Sequence, residues 1–227
     1  MTEPVTIAVE AGLTVSGLLE RPGDARALYV LAHGAGAGMR HAFLESLATR
    51  LAARGVATLR YQFPYMEAGA KRPDPPALAQ ATVRAAVAQA ATFAPDLPLV
   101  AGGKSFGGRM TSQAQAESPF ASVRGLAFVG FPLHAAGAPS ETRAAHLADV
   151  ALPMLLLQGT NDALAEWSRI ERVAARLGQR ATLVRVDGAD HAFHMPKRSG
   201  RTDAEVLDAL ADALATWVDA VVARASA

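Results

Sequence analysis

Three residues carry the chemistry this sequence could do: Ser105 in "GGKSFGGRM", Asp162 in "LQGTND" and His191 in "DGADHAF". A serine hydroxyl is a weak nucleophile until a neighbouring base takes its proton. An imidazole can be that base, and a carboxylate on its far ring nitrogen orients it and stabilises its charged form. Gly103-Lys104-Ser105-Phe106-Gly107 fits the G-x-S-x-G pattern, which needs a strand immediately before it and a helix immediately after. Small residues suit such a tight turn, because side chains on either side would crowd the serine. The order serine, acid, histidine is the one this kind of site requires, with each residue in a loop just beyond a strand. Two backbone N–H groups should face the oxygen on which negative charge develops. Phe106 directly follows the serine, and Ala35 lies in the "HGAG" turn after the strand "ALYVLAH", so these two are the expected donors. His33, at the head of that turn, is expected to hydrogen-bond the loop backbone.

The same stretch invites a rival reading. Gly103-Lys104-Ser105 could end a phosphate-binding loop, with Lys104 as its working residue. That motif needs a glycine five places before Gly103, where the chain has Pro98 at the head of a strand. The turn "HGAGAGM" likewise offers Gly34 and Gly36 to a dinucleotide fingerprint. The third glycine position falls on Met39, and the next strand, "VATLRY", carries Arg60 where an acidic residue is wanted. Both nucleotide readings fail. Near His191, Asp187 and Asp190 are further acids. Asp190 adjoins the histidine and cannot easily reach across its ring, so it is read as capping the loop. Asn161, beside Asp162, is a neutral and poorer partner for an imidazolium. "HAFH", with His194, carries no supporting cysteine or carboxylate set, so no metal is expected. His134 has two readings, a pocket residue or an isolated surface histidine.

The positioning elements are legible from the apolar pattern. Around Ala11-Gly12, "VTIAVE" and "LTVSGLLE" read as an N-terminal hairpin. Further strands are "ALYVLAH", "VATLRY", "LPLVAGG", "VRGLAFVGF", "PMLLLQG" and "ATLVRVDG". Helical spacing separates them: Phe43, Leu44, Leu47 and Leu51; about Ala77 to Phe93; about Phe106 to Glu117; and about Trp167 to Leu177. A last helix opens on a capping box, Thr202 with Glu205, and carries the stripe Val206, Leu210, Leu214, Trp217 and Val221. Near-continuous apolar strands alternating with helices imply an α/β fold whose mostly parallel sheet is covered on both faces. Ligands bind such sheets at the carboxyl ends of the strands. The Ala-rich tail reads as a fraying helix end. No internal repeat or domain boundary is visible, so residues 1–227 are expected to form a single domain.

On the stretches "HGAGAGM", "RYQFPYM", "GGKSFGGRM", "GFPLH", "LQGTND" and "DGADHAF", the chain resembles a small protein of the α/β-hydrolase fold. More narrowly, "GGKSFGGRM" with "RYQFPYM" resembles the capless group related to the testis-expressed protein and the histone-acetyltransferase-complex subunit that carry this domain. The superfamily resemblance implies Ser105 as nucleophile, His191 as general base and Asp162 as orienting acid, with no cofactor. The narrower group leaves two alternatives open, an interaction module that keeps the fold and an acyltransferase on the same triad. Many relatives insert a helical cap after the strand matching "LAFVGF". Here the short segment "PLHAAGAPSETRAAHLADVA" leaves no room for a cap domain. The site should then be open, with the loop Tyr61–Pro76 partly over it. Tyr61, Phe63 and Tyr65, beside Met66, are expected either to contact substrate or to pack under that loop. Lys104 and His134 are also expected at the substrate, although Lys104, as the variable residue of the elbow, also reads as a surface charge.

Composition limits the alternatives. The chain has 227 residues, no cysteine and a net charge of +1. Disulfides and thiolate chemistry are excluded, and no electrostatic pull toward nucleic acid is expected. The first residues, with Glu3 and no apolar run, do not read as a signal peptide, and no membrane span is apparent. The expectation is a cytoplasmic serine hydrolase that cleaves a carboxylic ester or related acyl bond of a small molecule. Oligomeric state is not legible.

Overall fold

The computed structural model describes residues 2–224. One eight-stranded sheet runs through it, made of β1 (Thr2–Glu10), β2 (Leu13–Glu20), β3 (Ala27–Ala32), β4 (Val56–Tyr61), β5 (Leu99–Lys104), β6 (Val123–Val129), β7 (Met154–Gly159) and β8 (Ala181–Val186). Their spatial order is β1-β2-β4-β3-β5-β6-β7-β8. β1 and β2 form an antiparallel hairpin, and β2 pairs antiparallel with β4. From β4 to β8 all pairs are parallel. This is the expected mostly parallel sheet with its N-terminal hairpin.

The continuous apolar strands follow from period-two geometry, which sends successive side chains to opposite faces. In β3, Leu28, Val30 and Ala32 join one core while Ala27, Tyr29 and Leu31 join the other. The first core packs under α3 (Pro76–Phe93), α4 (Phe106–Glu117) and α5 (Trp167–Leu177). The second packs under α1 (Ala42–Ala52) and α6 (Asp203–Arg224). α3 starts one residue earlier than its periodicity suggests. Pro76 fits the first helical position, where a missing N–H costs nothing. α6 opens on the expected reciprocal cap: Glu205 N–H donates to Thr202 Oγ1, and Glu205 Oε2 accepts from Thr202 N–H.

Four short elements were not legible in the pattern, among them 3-10 turns at Gly178–Arg180 and Lys197–Ser199. The short helix α2 (Pro64–Glu67) interrupts the β4–α3 loop, and a 3-10 helix, Thr142–Asp149, crosses the segment between β6 and β7. That segment holds nothing larger, so no cap domain sits over the strand ends. No helix among the described residues is long and apolar enough to cross a membrane.

Candidate active site

Ser105 stands between the last residue of β5 and the first of α4, with φ 50° and ψ −113°. A positive φ in a residue with a Cβ is strained, and it lifts the hydroxyl clear of the turn. The neighbouring glycines serve a purpose that differs from the expected one. A Cβ at Gly107 would stand 2.6 Å from Ala32 Cβ and from His33 O, and one at Gly103 would meet the Ala32 carbonyl. What they avoid is the end of β3, not the serine itself. Close approach of the elbow to that strand end brings Ser105 beside the turn after β3.

Asp162 follows β7 and is almost fully enclosed (3 % exposed). Its Oδ1 accepts the Leu164 N–H at 2.8 Å, and its Oδ2 accepts from Gln158 Nε2 at 2.6 Å. The same Oδ2 lies 2.7 Å from His191 Nδ1. On the other side of that ring, Nε2 is 2.8 Å from Ser105 Oγ. An ionised carboxylate only accepts, so Nδ1 carries the hydrogen and the Nε2 lone pair faces the serine hydroxyl. Such a hydroxyl can lose its proton to Nε2 as it attacks a carbonyl carbon. The three residues come from loops beyond β5, β7 and β8, which the parallel order aligns at one sheet edge.

The candidate donors for a developing oxyanion sit around this serine. Phe106 is the first residue of α4, where helical N–H groups lack intrahelical acceptors and the helix dipole is positive. Neither its N–H nor that of Ala35 has a partner among the described residues. Ala35 lines a pocket of about 380 Å3 together with Ser105, His191, Lys104, Phe43 and His41. His33 shapes the turn that carries Ala35. Its Nδ1 is 2.8 Å from Gly34 O, and its Nε2 accepts the Phe63 N–H at 3.1 Å. Burial lowers the His33 pKa to about 4, so the ring is neutral, as an accepting Nε2 requires.

The expected substrate wall is only partly where the sequence put it. Tyr61 and Phe63 are fully buried, and both join the core under α3 and α4. Both faces of β4 are covered, so Tyr61 is drawn into the core, and Phe63, two residues beyond the strand, packs edge-on against the rings of His33, Tyr61 and Phe106. Tyr65 is 4 % exposed and props the turn after β3, its Oη accepting the Gly36 N–H at 2.8 Å. The rest of the β4–α3 loop borders a different hollow, with Leu13, Arg72 and Pro73. That loop does not cover the serine. His134 is neither a surface residue nor part of this pocket. It is 2 % exposed, with Nδ1 2.8 Å from Ala135 O and Nε2 2.7 Å from Glu166 Oε2. Its backbone N–H and that of Leu133 both donate to Leu164 O, so this segment braces the loop that carries Asp162.

Lys104 lines the pocket but is not a surface charge. Its Nζ donates to His191 O at 2.5 Å and lies 5.3 Å from the Phe193 ring centre and 5.9 Å from that of Phe43. Burial pulls its pKa down to about 8 against the raising effect of Asp162 and Asp190. The ammonium ties the elbow to the histidine loop. Asp190 caps that loop, its Oδ1 accepting the N–H groups of Ala192 and His194, while His194 Nδ1 meets Asp203 at 2.8 Å.

Sequence reasoning missed the α1 end of the pocket, His41 and Phe43, and it missed Gln158. Gln158 joins Asp162 to the Phe131 N–H, which its Oε1 accepts at 2.9 Å. A glutamine at the end of the apolar run "PMLLLQ" was the available signal, since a buried amide needs partners.

A family model described as an alpha/beta hydrolase domain matches residues 25–219. No match was found among curated protein sequences. Among solved structures, a dienelactone hydrolase from Anabaena variabilis is similar at 21% identity and TM-score 0.74, over 96% of each chain. An alpha-beta serine hydrolase homologue from Coxiella burnetii is also 21% identical, with TM-score 0.75, over 94% of this chain and 98% of that one. A serine hydrolase without lid from Xanthomonas campestris matches at 21% identity and TM-score 0.73, over 95% and 94%. At such identities the likeness is one of fold. With a family model spanning most of its length, the chain belongs to the alpha/beta hydrolase domain family.

Proposed function

We propose that this protein is a single-domain serine hydrolase that cleaves a carboxylic ester, or a related acyl bond, of a small molecule through an acyl-enzyme. The observation that carries the reading is the unbroken line Ser105 Oγ, His191 Nε2, His191 Nδ1, Asp162 Oδ2, with contacts of 2.8 and 2.7 Å. Ser105 Oγ attacks the acyl carbon while His191 Nε2 takes its proton. The N–H groups of Phe106 and Ala35 receive the oxyanion. The tetrahedral intermediate collapses, the acyl–oxygen bond breaks, and His191 passes the proton to the departing alcohol. A water then repeats the sequence on the acyl-serine, giving the acid and free Ser105. Asp162 stays ionised throughout and stabilises the imidazolium. No cofactor takes part in these steps.

That a dienelactone hydrolase and serine hydrolases are among the similar structures supports the same reaction class. Membership of the narrower capless group related to the testis-expressed protein and the histone-acetyltransferase-complex subunit is part of this proposal and rests on "GGKSFGGRM" with "RYQFPYM".

Rapid mixing with a 4-nitrophenyl ester tests the reading. A burst of 4-nitrophenol equal to the enzyme concentration, followed by slower turnover, is expected from an acyl-enzyme. A wild-type protein that releases no 4-nitrophenol from a panel of chain lengths would favour a scaffold role for the fold. Added methanol distinguishes transfer from hydrolysis: a methyl ester as the main product would identify an acyltransferase.

A further inference from the structure

Two histidines beyond two strand ends share one contact and differ in the other. His33 follows β3, and His134 lies in the segment after β6. Each places its Nδ1 2.8 Å from the carbonyl oxygen of the next residue, Gly34 or Ala135. A carbonyl only accepts, so each Nδ1 carries a hydrogen. At the second nitrogen the partners diverge. His33 Nε2 accepts the Phe63 N–H, which makes that ring neutral. His134 Nε2 instead stands 2.7 Å from Glu166 Oε2. Desolvation raises the Glu166 carboxyl, but the His134 hydrogen bond, a backbone N–H and the charges of His134 and Arg169 hold it below the ordinary carboxylate value. An ionised carboxylate also only accepts. Both nitrogens of His134 must therefore donate, and the ring is an imidazolium.

That charge is enclosed, yet it is paired and hydrogen-bonded at both ends, the condition under which a buried ion is tolerated. Among the described residues, the charged groups that meet it are Glu166, from the end of the acid loop, and Arg169, from the first turn of α5. Arg169 Nε lies 3.0 Å from the same carboxylate oxygen. The loop so gripped starts at Asp162. The N–H groups of Leu133 and His134 donate to Leu164 O at 2.8 and 3.2 Å, and the Leu164 N–H donates to Asp162 Oδ1 at 2.8 Å. The ring of His134 adds a further tether, at the exit of the loop. With Oδ1 fixed, Asp162 Oδ2 is aimed at His191 Nδ1. Loss of the Nε2 proton would set a lone pair against the carboxylate and release the tether.

We propose that His134 is a positioning residue for Asp162: its imidazolium clamps Glu166 and so holds the acid loop, with Asp162 Oδ2, against His191. As a statement about positioning, it rests on the reading of Ser105, His191 and Asp162 as hydrolytic machinery.

Nitrogen-15 NMR of the protein labelled in its histidine rings tests the clamp without turnover. At pH 7 both ring nitrogens of His134 should be protonated, while His33 carries its single proton on Nδ1 and serves as the internal reference. In E166Q the His134 signals alone should move toward a neutral ring. A wild-type His134 with one proton overturns the clamp, whether or not Ser105 proves reactive in the burst experiment. Two protons support it in either case.

Steady-state kinetics with a 4-nitrophenyl ester tests the positioning. H134Q should lower kcat by about ten- to a hundredfold, the scale of a small misplacement in an active site. KM should stay within about twofold, because the ring does not line the pocket. E166Q removes the charge from a side chain that is 41 % exposed, so the fold is kept, and kcat should fall by about threefold or more. In Asp162→Asn protein, adding E166Q should cost less than about twofold, since the acid through which the clamp acts is gone. An unchanged kcat in E166Q, or a loss that persists at full size in Asp162→Asn, overturns the positioning role.

Discussion

Two serine–histidine pairs lie at opposite ends of the first two turns of α4, and their lengths are equal. Ser105 Oγ is 2.8 Å from His191 Nε2, and Ser112 Oγ is 2.8 Å from His146 Nε2. Everything around them differs. His191 gives its second nitrogen to Asp162, whereas among the described residues no carboxylate forms an ion pair with His146, and Asp149 acts on it only through its charge. The nearest strong influence on His146 after burial is the repelling charge of Arg109. Ser112 sits inside a regular helix, is fully buried and donates its hydroxyl hydrogen to the Arg109 carbonyl at 3.0 Å. Its proton therefore points away from the imidazole, and His146 Nε2 must be the donor in that pair. Ser105 is on a strained turn at the wall of a pocket. A serine–histidine distance by itself is thus uninformative. The acid on the far nitrogen, the direction of the hydroxyl hydrogen and access to a pocket separate a candidate nucleophile from a packing contact.

The largest expected effects break the comparison at its two hydroxyls. Ser105→Ala should lower kcat for a 4-nitrophenyl ester by about a millionfold, the scale of losing a nucleophile from such a triad. Ser112→Ala should keep kcat within about threefold, because only a packing contact and its hydrogen bond are lost. Steady-state kinetics on both variants checks the pair, and equal losses would erase the distinction. Next comes the acid. Asp162→Asn keeps the shape but offers Nδ1 a group that can also donate, so the wrong tautomer is favoured. A fall in kcat of about 10⁴-fold is expected, with the folded near-ultraviolet circular dichroism signal retained.

The third test concerns why only one of the two serines sits on a strained turn. Gly107→Ala pushes a Cβ to 2.6 Å from Ala32 Cβ and His33 O. A loss of about 3 kcal/mol in urea unfolding is expected, since neither the backbone of β3 nor α4 can withdraw easily. An unchanged midpoint would mean that the elbow does not depend on that close approach.

The smallest effect separates the histidines by pH. The pKa values of His146 and His33 fall to about 4 in the folded state, below the ordinary 6.5. Between those values the unfolded chain binds protons that the fold refuses, so stability is complete above pH 6.5. It falls as pH drops toward 4 and levels off below that. His146→Gln should reduce this fall by on the order of 1 kcal/mol, given the partial exposure of the ring. Thermal melting of both proteins from pH 7 to pH 4 measures it. A wild-type curve no steeper than that of the variant would refute the assignment.

The sheet and the three loops were legible because they follow from a short-range rule. Apolar runs covered on both faces become adjacent parallel strands, and "GKSFG", "TND" and "DH" each follow such a run. The pocket was not legible, because its wall depends on how distant helices dock. Tyr61 and Phe63 are aromatic, close in sequence to a plausible loop, and yet turned into the core. His41 and Phe43 reach the site only because α1 packs against α6 on the second face of the sheet. Lys104 read as a surface charge since nothing local reveals that His191 O will stand 2.5 Å from its Nζ. Gln158 was visible but unassigned, because a buried amide declares a need for partners without naming them.

The most direct test of the central claim is peptide-resolved mass spectrometry after reaction of the native protein with a fluorophosphonate probe. A single covalent adduct is expected on Ser105, with Ser112 unmodified and no adduct in Ser105→Ala. A native protein left unmodified at Ser105, or modified equally at Ser112, would contradict the assignment of Ser105 as the nucleophile.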